Sequence, residues 1–208
     1  MKRFFALLQA GTPEHVFNPW HMRDISTDLA IDAPVQRLKR LQMHLQIPAR
    51  QVLIGEAAGY QGCKVSGMAF TSERLLLEGS IPRIPAPPGR LSSRLRPWSE
   101  PSATTVWKTL HALGVAHETV LWNAYPWHPH KPGAPHSNRT PTRAERAAGV
   151  PVLEGFLQLF PQARVFAVGR NAEAALAELG IAATPLRHPS MGGAKQFAAQ
   201  LRAALPRR

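Results

Sequence analysis

"QVLIGEAAGYQGCKVSGMAF", residues 51–70, begins as a continuous apolar run closed by glycine, then turns small and glycine-rich. A short run without polar alternation suits a strand buried on both faces. The glycines beyond it mark backbone that something must approach closely. Glu56 ends the run, and Phe70 stands alone among small residues. "TVLWNA" at 119–124, "RVFAVG" at 164–169 and "ATPLRH" at 183–188 repeat the apolar pattern and predict three more strands. Helical patterns lie between them. Val35, Leu38, Leu41 and Leu45 recur at helical spacing, with Arg37, Lys39 and Arg40 mostly off the stripe. Ser99, Glu100 and Pro101 open a second helix with Val106, Leu110 and Leu113 inward. "TRAE" at 142–145 fits a capping box for a helix toward Phe160 that Gly149 and Pro151 should kink or split. Asn171 is expected to cap a short helix ended by Gly180, and Phe197 and Leu201 mark the inward side of a last one.

Strands alternating with helices predict an α/β fold, a three-layer α/β/α sandwich around a central four-stranded parallel sheet. Ligands of such sheets bind beyond the carboxyl ends of the strands. Three of those ends are chemically unusual: Glu56 with its glycine loop, Asn123 with a His/Pro loop, and His188 with "PSMGG". The length of 208 residues suits a single domain, 1–208, in which residues 1–32 form an irregular leader packed on through Phe17 and Trp20. Residues 79–101, rich in Pro, Ser and Arg, form a connection long enough to be either functional or disordered.

Lys and Arg number 25 against 13 Asp and Glu, a formal net charge of +12, which points to a polyanionic partner, nucleic acid before an acidic membrane surface. Cys63 is the lone cysteine, so neither an internal disulfide nor a thiolate metal or iron-sulfur site can form, and a reducing cytoplasm is expected. The opening "MKRFFALLQAG" is too short an apolar run for a signal peptide. No stretch approaches the roughly 18 apolar residues of a membrane helix. Gly55, Gly59 and Gly62 do not spell a dinucleotide fingerprint.

"GEAAG" after the first strand, "GMAF" shortly after, "LWNA" at the end of the second and "HPSMGGA" after the last together resemble the uracil-DNA glycosylase superfamily, over about residues 50–200. The resemblance implies an enzyme that flips a deoxyuridine from DNA, hydrolyses its N-glycosidic bond and leaves an abasic site, with no cofactor and no metal. It implies that Asn123 reads uracil O4 and N3–H, that Phe70 stacks on the base, and that His188 donates to O2 as charge grows there. Glu56 inherits the handling of water and the steadying of the cationic sugar, while Ala57 stands where the best-known branch carries Asp. Gly55 closes the strand beneath the base, and backbone N–H groups of Gly59 and Tyr60 help cradle the base or a phosphate. Tyr60 falls where one branch blocks the thymine methyl. Ser190 corresponds to a phosphate contact and Met191 to a wedge into the base stack. Arg94, Arg96, Lys131, Arg139 and Arg143, together with Arg83 and Arg90, are cations of the loops that would neutralise phosphates.

Taken without the resemblance, each of these residues has a plainer role: Asn123 ending a strand against a turn, Phe70 in a core, Glu56 pinning its loop, the arginines as a solvated surface. Two rival functions remain. His128, His130 and His136 crowd one loop and would suit a metal hydrolase, though no carboxylate motif accompanies them. Ala57 keeps alive a protein that recognises uracil or abasic sites without cleaving, and a glycosylase for another deaminated base is a further variant. The expected protein is a monomer in a bacterial-type cytosol, bound to DNA.

Overall fold

The computed structural model describes residues 1–206. In chain order its elements are α1 (Lys2–Leu8), β1 (Val16–Phe17), α2 (Ala33–Leu45), β2 (Gln51–Ala57), α3 (Cys63–Ser66), α4 (Glu73–Leu77), α5 (Pro101–Ala112), β3 (Thr119–Tyr125), β4 (His128–Pro129), α6 (Arg143–Leu157), β5 (Arg164–Val168), α7 (Arg170–Glu178), β6 (Thr184–Leu186) and α8 (Ala194–Ala204). The four expected strands form one sheet in the order β3-β2-β5-β6. Every neighbouring pair is parallel. A separate antiparallel pair joins β1 to β4.

Alternation along the strands feeds two apolar layers. Ile54, Val120 and Trp122 face one, with Phe4 of α1, Leu41 of α2, Phe156 of α6 and Leu176 of α7. Leu53, Leu121 and Phe166 face the other, with Leu75 of α4, Trp107 of α5 and Phe197 and Leu201 of α8. Trp122 lies nearly parallel to Phe156 at a centroid distance of 4.9 Å, which fixes how α6 crosses β3.

Four expectations change. The leader is not irregular throughout: Phe4 and Leu8, one helical turn apart, bury themselves as one side of α1, which is too short to announce itself in sequence. Phe17 and Trp20 are buried as expected, and the Trp20 indole N–H donates to the Gly67 carbonyl at 3.1 Å. In α2 the buried side includes Arg37 and Arg40 while Val35 is half exposed. Arg37 pairs with buried Asp28 and donates to the carbonyls of Pro19, Met22 and Val65. A buried guanidinium so fully bonded ties leader, α2 and glycine loop together. Helix α6 runs unbroken through Gly149 and Pro151 behind its Thr142–Glu145 capping box. Its packing on the sheet leaves no room for a side chain at 149, where a Cβ would stand 2.9 Å from the Tyr125 ring. Helix α7 starts two residues earlier than an Asn171 cap would place it, with Gly169 as the N-cap, whose φ of +91° suits glycine.

Candidate active site

At the carboxyl ends of β2 and β3 the register sets Gly55 beside Asn123. A Cβ on Gly55 would lie 2.7 Å from the Phe70 ring and 2.9 Å from Asn123 Oδ1. Only glycine lets the aromatic ring and the amide converge there. Above them opens a cavity of about 630 Å³ whose wall includes Glu56, Ala57, Gly59, Phe70, Asn123, Glu100, Arg139, His188, Ser190 and Met191. Asn123 is only 5% exposed, and no described residue hydrogen-bonds its amide. A buried amide without a partner is costly unless something else supplies the bonds. Phe70 holds a φ of +47°, backbone strain of the kind kept at ligand sites.

His188 comes from the loop after β6, its ring centroid 6.2 Å from that of Phe70. Gly169 backs it, with the His188 Cβ 3.1 Å from where a side chain would begin. Burial, with a smaller push from Arg187, holds the imidazole below its ordinary value, so it is neutral at pH 7. The Ser190 backbone N–H donates to Nδ1 at 3.1 Å, and Ser190 Oγ lies 2.6 Å from the same nitrogen. Nδ1 therefore accepts, and the ring proton sits on Nε2 as a donor. Ser190 is thus a neighbour that sets the tautomer of His188, beyond its expected place at a phosphate. Met191 is 91% exposed and carries a φ of +51°. Gly193 allows this turn, since a Cβ there would stand 2.1 Å from the His188 carbonyl.

Glu56 follows Gly55 on β2 and alternates toward the opposite layer, where it also borders Tyr125 and Asn171. Its Oε1 is buried with no protein partner. Ala57 and Gly59 line the cavity, whereas Tyr60 does not. The Tyr60 ring packs edge-on against Trp98 at 5.5 Å and beside His136 at 6.5 Å, and its backbone N–H is held by Asn138 Oδ1 at 3.1 Å. That aromatic cluster holds the ring outside the cavity lining.

The expected DNA-facing cations divide into two kinds. Arg94, Arg96, Lys131 and Arg143 are exposed, with Arg94 lying over the Trp98 ring at 3.9 Å. Arg139 instead makes a two-pronged ion pair with Glu145, at 2.7 and 2.6 Å, and donates to the His130 carbonyl at 2.8 Å. Arg90 is bound to buried Glu73 at 2.9 Å, and Arg83 donates to the His117 carbonyl at 2.8 Å. These three hold loops rather than offer free charge. In the histidine loop, His128 is fully buried with Nδ1 2.8 Å from the Ala58 carbonyl, and burial pushes it down to about 4. No group of three metal-ligating side chains occurs among the described residues.

Sequence reasoning missed Glu100. It read that residue as the start of α5, where it does stand, yet the side chain makes no capping hydrogen bond and turns into the cavity instead. The glycines at 55, 62 and 67 are approached by Phe70 and Asn123, by Glu100 and by Arg37 in turn. The protein's own side chains fill the space beside these glycines that the sequence had reserved for a nucleotide.

The strand ends of this α/β/α sheet thus gather an amide, an aromatic ring and a neutral histidine donor over one cavity. The chain belongs to the uracil DNA glycosylase superfamily, whose family model matches residues 43–204. Membership makes it a DNA glycosylase that acts on DNA. Among solved structures it is similar to SMUG2 of Pedobacter heparinus, at 16% identity and a TM-score of 0.65, over 98% of this chain and 94% of that one. No curated protein matches the chain.

Proposed function

We propose that the protein is a monofunctional uracil-DNA glycosylase that extrudes deoxyuridine into the cavity and releases uracil, leaving an abasic site. The unpartnered, buried amide of Asn123 carries this reading. Such an amide offers one donor and one acceptor, the complement of uracil O4 and N3–H. Phe70 stacks on the ring, which adds affinity for any base and leaves identity to Asn123. As the C1′–N1 bond breaks, negative charge collects on the base, and His188 Nε2–H donates to O2 where that charge develops. A neutral imidazole donor suits an anionic leaving group that must depart without being protonated first. Glu56, with an oxygen that no protein group satisfies, steadies the cationic sugar and orients water. Met191, exposed at a strained turn, fills the gap left in the stack.

Single-turnover cleavage of a labelled oligonucleotide carrying one deoxyuridine, single- and double-stranded, with chelator present and alkali to reveal abasic sites, tests this. Uracil release from the parent is expected. Asn123→Asp, whose ionised carboxylate cannot donate to O4, should lose uracil release by about 10²-fold or more, with abasic-site binding kept. Release at the parent rate would remove Asn123 from base recognition. Abasic-site binding without any release by the parent would instead favour a lesion-binding protein on the same scaffold.

A further inference from the structure

The cavity holds a second carboxyl, on the Phe70 side of the sheet. Glu100 begins α5 but leaves its own helix uncapped, and the first turn of that helix, with Ser102 and Thr105, also borders the cavity. Its Oε2 would stand 1.8 Å from a Cβ on Gly62, and its Oε1 3.9 Å from one on Gly59. Gly62 thus makes the seat of this carboxyl, and any side chain there would expel it. Thr71, next to the stacking Phe70, borders the same seat, its carbonyl oxygen 3.4 Å from that Cβ position. Glu56 points from β2 toward the α6 and α7 layer, so Glu100 approaches the base pocket from the side where the ring of Phe70 lies. No described residue donates a hydrogen bond to the Glu100 carboxyl or forms an ion pair with it.

We propose that Glu100 is the general base of the reaction, the group that takes the proton from the attacking water. This rests on the base-excision reading above. In the step, a water O–H bond breaks with its proton passing to the Glu100 carboxylate, and the water oxygen bonds to C1′. The C1′–N1 electron pair leaves on the base, whose charge His188 and Asn123 hold. Glu56 then steadies the cationic sugar and helps orient the water, while Glu100 takes the water's proton.

Burial raises the Glu100 carboxyl to about 7, the range in which a base is both available and strong enough to draw a proton. The groups that share the cavity with it are Cys63 of α3, Glu56 from β2, Arg139 from the loop before α6, and His188 from the loop after β6. Burial foremost, then the charge of Glu100 itself, pushes the Cys63 thiol up, so it stays neutral through the working range. Burial foremost, then the charge of Arg187, holds the His188 imidazole below its ordinary value. A rate limb near pH 7 that disappears in Glu100→Gln belongs to Glu100.

The test is the pH profile of single-turnover uracil release, from pH 5 to 9, for the parent, Glu100→Gln and Glu100→Asp, with abasic-site DNA affinity as the folding control. The parent should climb tenfold per pH unit below about 7 and level off above it. Glu100→Gln should bind abasic DNA like the parent, release uracil at least about 10²-fold more slowly at pH 8 and show no limb. Glu100→Asp, which keeps the carboxyl on a shorter arm, should be slowed yet keep a limb. A flat parent profile, or the same limb in Glu100→Gln, overturns the assignment, and the parent profile decides even if a variant folds poorly. A parent that releases no uracil at any pH sinks the excision reading itself, and the base role with it.

Discussion

One proton on His188 decides whether that residue can serve as a donor. The Ser190 backbone N–H occupies Nδ1, so the neutral ring presents Nε2–H toward the cavity, and burial keeps a second proton off. Removing a preorganised donor aimed at developing charge costs about 10²–10³ in rate. We expect that loss in single-turnover release by His188→Ala, with abasic-site binding unchanged. Ser190→Ala should lose far less, because its backbone N–H still fixes the tautomer. A loss as large as that of His188→Ala would show that the hydroxyl, not the backbone, sets the ring. At this scale the convergence of Asn123 and His188 on one cavity was legible because each sits at or just beyond a strand end, and strand ends follow from apolar runs, while Phe70, past α3, stood out only as a lone aromatic among small residues. Glu100 was not, because its use depends on Gly62 lying beneath it, a contact across 38 residues that no local pattern records. The packing of Tyr60 was hidden for a similar reason: Trp98 and His136, distant in sequence, hold its ring.

Among the elements, the stretch at 79–101 departs furthest from what its composition suggests. Pro, Ser and Arg in that density read equally as a disordered or a functional loop, and the residue that orders it lies outside, at the start of α4. Glu73 is wholly buried and accepts from the backbone N–H groups of Leu91, Ser92 and Trp98, from the Ser92 hydroxyl and from Arg90. Burial opposes its charge, but the bonds from Ser92, Trp98 and Arg90 outweigh it and hold the carboxyl below its ordinary value. Arg90 in turn donates to the carbonyls of Arg94 and Leu95, which places Arg94 and Arg96 on a stiffened arm. Rigid presentation reduces the entropy lost when such an arm meets a phosphate backbone. Glu73→Ala strands those donors and breaks the ion pair, so we expect a loss of about 3–5 kcal/mol in urea unfolding. Duplex affinity should fall as well, in conditions where the variant remains folded. Full stability would mean that the loop orders itself through its prolines alone. Helix α1 shows the opposite failure of sequence reading: its seven residues carry too little periodicity to detect, yet Phe4 joins the stacked Trp122 and Phe156.

Across the whole molecule, the net charge of +12 overstates what DNA can use. Arg37, Arg90 and Arg139 are each spent on a carboxylate, and Lys64 is paired with Asp24. Sequence composition shows the sign of the surface, but only the fold separates cations that brace loops from cations that face solvent. Arg94, Arg96, Lys131 and Arg143 belong to the second group. Each phosphate neutralised by a free cation releases condensed counterions, so the logarithm of the binding constant falls against the logarithm of salt with a slope of about −0.9 per contact on duplex DNA. Arg96→Ala and Lys131→Ala should therefore each flatten that slope by about 1 while leaving the melting temperature unchanged, since neither makes a side-chain hydrogen bond or ion pair with a described residue. Arg139→Ala should do the reverse. It leaves Glu145 nearly buried and unpaired, which lowers the melting temperature, and it removes a charge already neutralised within the protein, which leaves the slope alone. Salt titrations of parent and variants on one abasic-site duplex, run beside thermal melts, separate the two groups. A slope that flattens in Arg139→Ala at constant melting temperature would mean that DNA binding pulls this arginine away from Glu145 and onto a phosphate.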